Sequence, residues 1–283
     1  SWLLQHARDR ASELGLPLLV LECLRIDYPW ASPRMHGFIL DGMRDNSRDL
    51  DRLGVAYYPY VEPEAGAGRG LVESLARRAS LVITDYKPGF FQGRMQEVLA
   101  HRLKCRVERV DDNGILPLQE SVRAWPTAHS LRRHLQKVLR AHLTSMPERD
   151  PLEDLDLPRL SVWPQDVGKR WPMASSELLN GDISRLQLSG PARVLTEPGG
   201  SHSAESAWSQ FSRRSLERYT EDRNCVDSSG TTRLSAHLHF GHISSAQMVT
   251  ETLEKQGWTL GSLSEDTRGS RSGWWGVSSA AES

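Results

Sequence analysis

Cysteine is scarce in this chain. Cys23, Cys105 and Cys225 are its only thiols in 283 residues, and no two stand as a C-x-x-C pair. So sparse and odd a set argues against a disulfide framework and suits a reducing, cytoplasmic compartment. Long apolar runs are missing too. None approaches the ~18–20 residues that a membrane-spanning helix needs, and no signal-peptide pattern opens the chain. Neither sign of charge dominates. Lys and Arg number 35 against 36 Asp and Glu, a net charge of −1, so any contact with nucleic acid has to come from a local patch. No internal repeat is evident. What is present suits a globular protein of one large domain or two: 38% hydrophobic and 25% charged residues. The nine tryptophans supply large rings for burial or stacking. A monomer with no membrane contact is expected.

The first 118 residues alternate two periods. Leu3, Leu4, Ala7, Ala11 and Leu14 fall on one helical face, closed by Gly15. "LPLLVLECL" (16–24) is a continuous apolar run, as in a strand covered on both faces. Helical spacing returns over 34–53, closed by Gly54, and "VAYYPY" (55–60) is the next strand. A short helix over 71–79, a strand at 80–86, a helix at 93–103 and a strand at 105–110 complete the series. Such alternation predicts an α/β class, with a parallel, Rossmann-like sheet that carries helices on both faces. The opening helix lacks the strand that would complete its unit, and that strand is expected to be missing. Ligands of such sheets bind beyond the carboxyl ends of strands, here marked by Asp27, Asp85 and Asp111-Asp112-Asn113.

Residues 119–200 read as an interdomain linker. Within it, 123–143 is a basic helix bearing Arg132, Arg133, Lys137 and Arg140, either a DNA contact or a solvated face against the linker. Pro147, Pro151, Pro158, Pro164, Pro172 and Pro191 then punctuate a polar stretch expected to run over the surface. Helical spacing resumes near 203 through Ala207, Trp208, Phe211 and Leu216 toward Tyr219. The domain bounds are therefore 1–118, 119–200 and 201–283.

One stretch, "GTTRLSAHLHFGHIS" (230–244), carries chemistry. A glycine and two threonines precede a helix start near Arg233. Unpaired N–H groups of a first helical turn attract anions. Thr231, Thr232 and Ser235 add hydroxyls, and Arg233 adds a fork of N–H donors. The same residues also suit an ordinary N-cap with an exposed arginine. Downstream, Ser244 with Gln247 fits a capping box, Ile243 with Met248 a hydrophobic staple, and Gly241 a break between helices. Of the histidines, His239 and His242 are spaced to share a helix face. No Glu or Cys stands at a metal-site spacing, so packing or surface roles are expected and no metal is assigned.

"RYTEDRN" (218–224), "GTTRLSAHLHFGHIS" (230–244) and "RGSRSGWWG" (268–276) together resemble the DNA photolyase/cryptochrome family. The "HFGHIS" and "GWWG" details are most similar to class II DNA photolyases. The resemblance extends through "LGLPLLVLECLRIDYP", "HGFILDGMRDNSRDLDRLGV" and "LVITDY", and so covers nearly the whole chain. It implies an N-terminal α/β domain followed by the first part of an all-helical FAD-binding domain. It implies FAD, with its phosphates held by Tyr219, Thr231, Thr232, Arg233, Leu234 and Ser235. The implied activity is light-driven repair of cyclobutane pyrimidine dimers in DNA, in which photoexcited reduced flavin lends an electron to the dimer. The rival within the family is a cryptochrome-like blue-light receptor. Arg271 and Trp274 are candidate DNA contacts, although the Trp274–Trp275 pair also reads as a packing anchor. An antenna chromophore is implied without an identity, with Asp27 and Asp85 as candidate lining. Ala236 and His237 replace the family's usual proline and aromatic residue. Both ends read as cut, so the catalytic residues are expected beyond residue 283, with weak FAD binding and no repair by the chain alone.

Overall fold

Capping residues set the helix boundaries at the start of the chain. In the computed structural model, which describes residues 1–121, 123–188, 197–227 and 230–276, Ser1 caps α1 (Trp2–Leu14) and Gly15 ends it in the left-handed conformation. Asp112 ties that helix to the sheet, accepting from Ser1 Oγ at 2.6 Å and from Trp2 N at 3.0 Å. Strand β1 (Leu19–Leu24) follows, then α2 (Pro33–Arg52), which Ser32 caps with proline at its first position. β2 (Ala56–Val61), α3 (Leu71–Ala76), β3 (Leu81–Asp85), α4 (Phe90–Arg102) and β4 (Arg106–Val110) complete the alternation that the sequence predicts.

The single sheet does not form among the described residues. β1 pairs with β2 in parallel, Leu19 opposite Ala56 through Leu24 opposite Val61. β3 pairs with β4 in parallel, Leu81 opposite Arg106 through Asp85 opposite Val110. No ladder joins the pairs, so each strand has one neighbour. This explains a second departure. The apolar run of β1 predicts a strand covered on both faces, yet its residues before Cys23 are only half-buried and Cys23 is exposed. β2 is the better covered strand, with Tyr58 1% and Tyr60 3% exposed.

The stretch expected to run as a surface linker is also part of the core. α5 (Ala128–Leu143), α6 (Gln165–Arg170) and α7 (Ser176–Leu179) lie in it. Leu152 packs with Leu50, Val55 and Tyr57. Val167 and Trp171 pack with Tyr58, Tyr60 and Leu71, and Leu179 packs with Leu24, Leu40 and Met43. The prolines between these anchors stop helices without lifting the chain off the α/β unit. The Tyr58 hydroxyl donates to the Trp171 carbonyl at 2.6 Å, and Trp171 Nε1 donates to the Ala67 carbonyl at 2.9 Å. The helical unit follows as α8 (Ser201–Arg214), α9 (Tyr219–Asp222), α10 (Ser235–His239) and α11 (Ser245–Lys255). Its core is Ala204, Trp208, Phe211, Leu234 and Ile243, with Met248 packed against it. No helix among the described residues is long and apolar enough to cross a membrane.

Candidate functional site

The turn at 230–235 is built around a close backbone approach. A Cβ on Gly230 would stand 2.5 Å from the carbonyl carbon and the Cβ of Asp222, so only glycine lets the turn lie against α9. Leu234 then inserts, fully buried, beside Phe211, and the edge of the Tyr219 ring meets Phe211 at 5.9 Å. Phe211 is thus the common anchor for the turn and for Tyr219. Thr231 and Ser235 are exposed and Thr232 is half-buried. Thr232 Oγ1 accepts from Leu234 N at 3.3 Å. Among the described residues the side chains of Thr231 and Ser235 and the Tyr219 hydroxyl carry no hydrogen bond.

Two details differ from the sequence reading. The helix begins at Ser235, not near Arg233, and is five residues long, because Arg233 adopts φ 56°, outside the helical region. Arg233 also holds an ion pair with Glu197 at 3.3 Å, and both side chains are well exposed. Leu234 can offer a ligand only its main chain, since its side chain belongs to the core. The remaining hydroxyls around one turn are the right chemistry for phosphate oxygens, which accept hydrogen bonds and tolerate several neutral donors. The residues therefore fit the phosphate portion of a dinucleotide.

Next to this turn, the α10–α11 corner meets the α/β unit. Gly241 turns the chain with φ 73°, and Ile243 and Met248 share the core cluster as a staple would. The capping box does not form. Ser244 Oγ accepts from Ala246 N at 3.2 Å, while Gln247 turns to Glu251 at 3.0 Å. The close histidine pair is His237 and His242, with Nδ1 atoms 3.3 Å apart; His239 is exposed, edge-on to Phe240. His242 Nδ1 accepts from Gly200 N at 3.0 Å. Phe38 of α2 packs against His237, Phe240 and His242, with ring centroids 5.0, 5.6 and 4.9 Å away. Gly42 leaves room for the His242 ring, which a Cβ there would strike. Burial lowers the His242 pKa to about 4, with the His237 charge acting in the same direction and Asp45 and Asp41 opposing it. Burial lowers that of His237 as well. Sequence spacing sets Phe38 on the apolar face of its helix but held no signal for its ring partners, nor for Gly42, Asp41 or Asp45, because their partners lie far along the chain.

The basic helix is a correction. α5 is not simply solvated against the linker; it grips the segment that carries "RGSRSGWWG". Buried Gln136 donates to the Ser270 carbonyl at 2.9 Å and accepts from Gly269 N at 2.8 Å. Arg132 donates to the Gly269 carbonyl at 3.1 Å and Arg140 to that of Leu263 at 3.0 Å. Arg271 is exposed, as a DNA contact requires. Trp274 is not. It is 6% exposed, edge-on to Trp275 at 5.0 Å, and its carbonyl accepts from Ser264 N at 2.8 Å, so it anchors the turn and offers no ring face to a base. The carboxylates at the strand ends are engaged locally: Asp27 with Arg25 at 2.5 Å, Asp85 with Lys87 at 3.4 Å, Asp111 with Leu118 N at 2.7 Å. The "SSAAES" end of the chain lies outside the described residues.

No protein-family model matches the chain. It is 24% identical over 256 residues to a deoxyribodipyrimidine photo-lyase of Methanothermobacter thermautotrophicus, covering 89% of this chain and 52% of that protein. It is also 24% identical over 265 residues to a protein of the same name from Arabidopsis thaliana, covering 89% and 50%. The chain thus spans about half the length of the curated relatives it matches. Among solved structures, a bacterial class III photolyase from Agrobacterium tumefaciens shares the fold at a TM-score of 0.58 and 15% identity, over 88% of this chain and 50% of that one. Along most of its length the chain is thus similar to proteins named deoxyribodipyrimidine photo-lyase, and it shares the fold of a solved photolyase.

Proposed function

We propose that the chain is part of a class II-like deoxyribodipyrimidine photo-lyase, with an α/β unit at 1–118, a connecting segment at 119–200 and the first part of a flavin-binding helical unit at 201–283. FAD, when bound, supplies the electron that light delivers to a pyrimidine dimer in DNA. Thr231, Thr232 and Ser235 would donate to its phosphates, helped by the Tyr219 hydroxyl and the main chain of Leu234. Phe211 and Leu234 hold those donors in place, and Gly230 sets their distance from α9. Arg233 would join once phosphate replaces Glu197 as its partner. Arg271 would meet the DNA backbone. The name shared by the curated relatives supports repair over blue-light signalling.

The observation that carries this reading is the Gly230–Asp222 approach, which sets the turn against the helix of Tyr219. A methyl group there forces the turn away at a cost of roughly 1–3 kcal/mol. Gly230→Ala should therefore weaken FAD binding about tenfold or more, read by flavin fluorescence quenching. Ser235→Ala should weaken it severalfold with no loss of thermal stability. Equal FAD affinity in the parent chain and both variants would remove the turn from the cofactor site. Repair of dimer-containing oligonucleotides under blue light, by the FAD-loaded protein, tests the activity.

A further inference from the structure

At the start of α5 lies a cavity of about 220 Å³ lined by Arg123, Trp125, Ser130, Arg133, His134 and Lys137. Two side chains lie against the Trp125 ring. The Arg123 guanidinium lies 4.5 Å from its ring centre, and the His134 ring stacks at 4.6 Å and 25°. The ring braces both side chains at the cavity wall. Arg123, Arg133 and Lys137 are exposed, and none of them pairs with a carboxylate among the described residues. The other arginines of this helix are used differently, since Arg132 and Arg140 donate to carbonyls. His134 Nε2, which belongs to the lining, is buried and has no hydrogen-bond partner. The Ser130 hydroxyl is bound within the capping box with Thr127. On a chain of net charge −1, three neighbouring cations without counter-charges among the described residues form a local electropositive well.

We propose that this cavity is a phosphate-binding subsite. Arg133 and Lys137, one helical turn apart, supply charge from the helix, and Arg123 adds a third charge from the segment before it. His134, whose ring lines the cavity and stacks on Trp125, lies close enough to report a bound phosphate. The phosphate belongs either to a DNA backbone or to a small phosphomonoester. The first source rests on the repair function proposed above; the subsite itself does not.

The test uses the full 283-residue chain with labelled histidine. His134 signals are assigned through His134→Asn, and inorganic phosphate is titrated at constant ionic strength. A saturable change at His134 is expected, weakened at least fivefold in Arg133→Ser and in Lys137→Ser and largely retained in Arg133→Lys. Both serine positions are exposed, and circular dichroism checks that α5 persists. In parallel, an undamaged duplex is bound in the dark over a range of salt, with no flavin added. A fall of about 1 in the salt slope for Lys137→Ser assigns the subsite to the DNA backbone. An unchanged slope beside saturable phosphate binding assigns it to a phosphomonoester. No saturable change at His134, or one that persists unaltered in Arg133→Ser/Lys137→Ser, overturns the proposal. FAD binding measured on the same variants should not move, which separates this outcome from failure of the flavin reading.

Discussion

His242 illustrates how a buried contact becomes a pH dependence. Its lone pair at Nδ1 accepts the Gly200 N–H, so the folded chain holds the ring neutral. Its folded pKa of about 4 lies below the ordinary 6.5. The unfolded chain therefore binds the proton more readily, and stability drops as pH falls from about 6.5 toward 4. Above 6.5 the ring is neutral in both states and contributes no slope. The urea midpoint should thus be lower at pH 5 than at pH 7, and His242→Gln should narrow that difference. An equally wide gap in the variant would assign the effect to other groups, of which His237, also lowered by burial, is the first to examine.

α5 shows how much of an element its own sequence reveals. The helical spacing and the basic composition mark the helix over 123–143; it begins at Ala128, where Thr127 and Ser130 form a capping box that the reading did not single out. The partner of the helix was not legible, because Gln136 meets Gly269 and Ser270 across more than a hundred residues of chain. The strand–helix alternation was readable for the same local reasons, whereas the division into two strand pairs depends on which strands meet. In the candidate site, the hydroxyls and Tyr219 were visible as a motif. The positive φ of Arg233, its ion pair with Glu197 and the burial of Trp274 were not, since each is set by tertiary neighbours. Replacing Gln136 by alanine strands a main-chain donor and an acceptor, at roughly 1–3 kcal/mol per group left without a partner. Gln136→Ala should lower the melting temperature by several degrees. It should also speed amide exchange at Gly269, while exchange in β1 and β2 stays as it was.

Across the whole molecule, the α/β and helical units are joined through Phe38. Its ring is 6% exposed and touches three rings of the helical unit, while Asp41 accepts from Gly199 N at 2.9 Å and Asp45 from His202 N at 3.3 Å. The contact is part apolar and part charge-assisted, so the units should melt together. Truncating a buried phenylalanine costs about 3–5 kcal/mol. Phe38→Ala should split one thermal transition into two, resolved by calorimetry. A single transition at a lower temperature would mean that the polar bonds suffice to couple the units.

The two separate strand pairs carry a further consequence. β1 and β3 each keep one flank without a ladder partner among the described residues. A bare flank offers amide hydrogens and carbonyl oxygens at regular intervals to any extended peptide nearby. Strand addition between molecules is therefore the expected outcome at high concentration, and light scattering across a dilution series checks it.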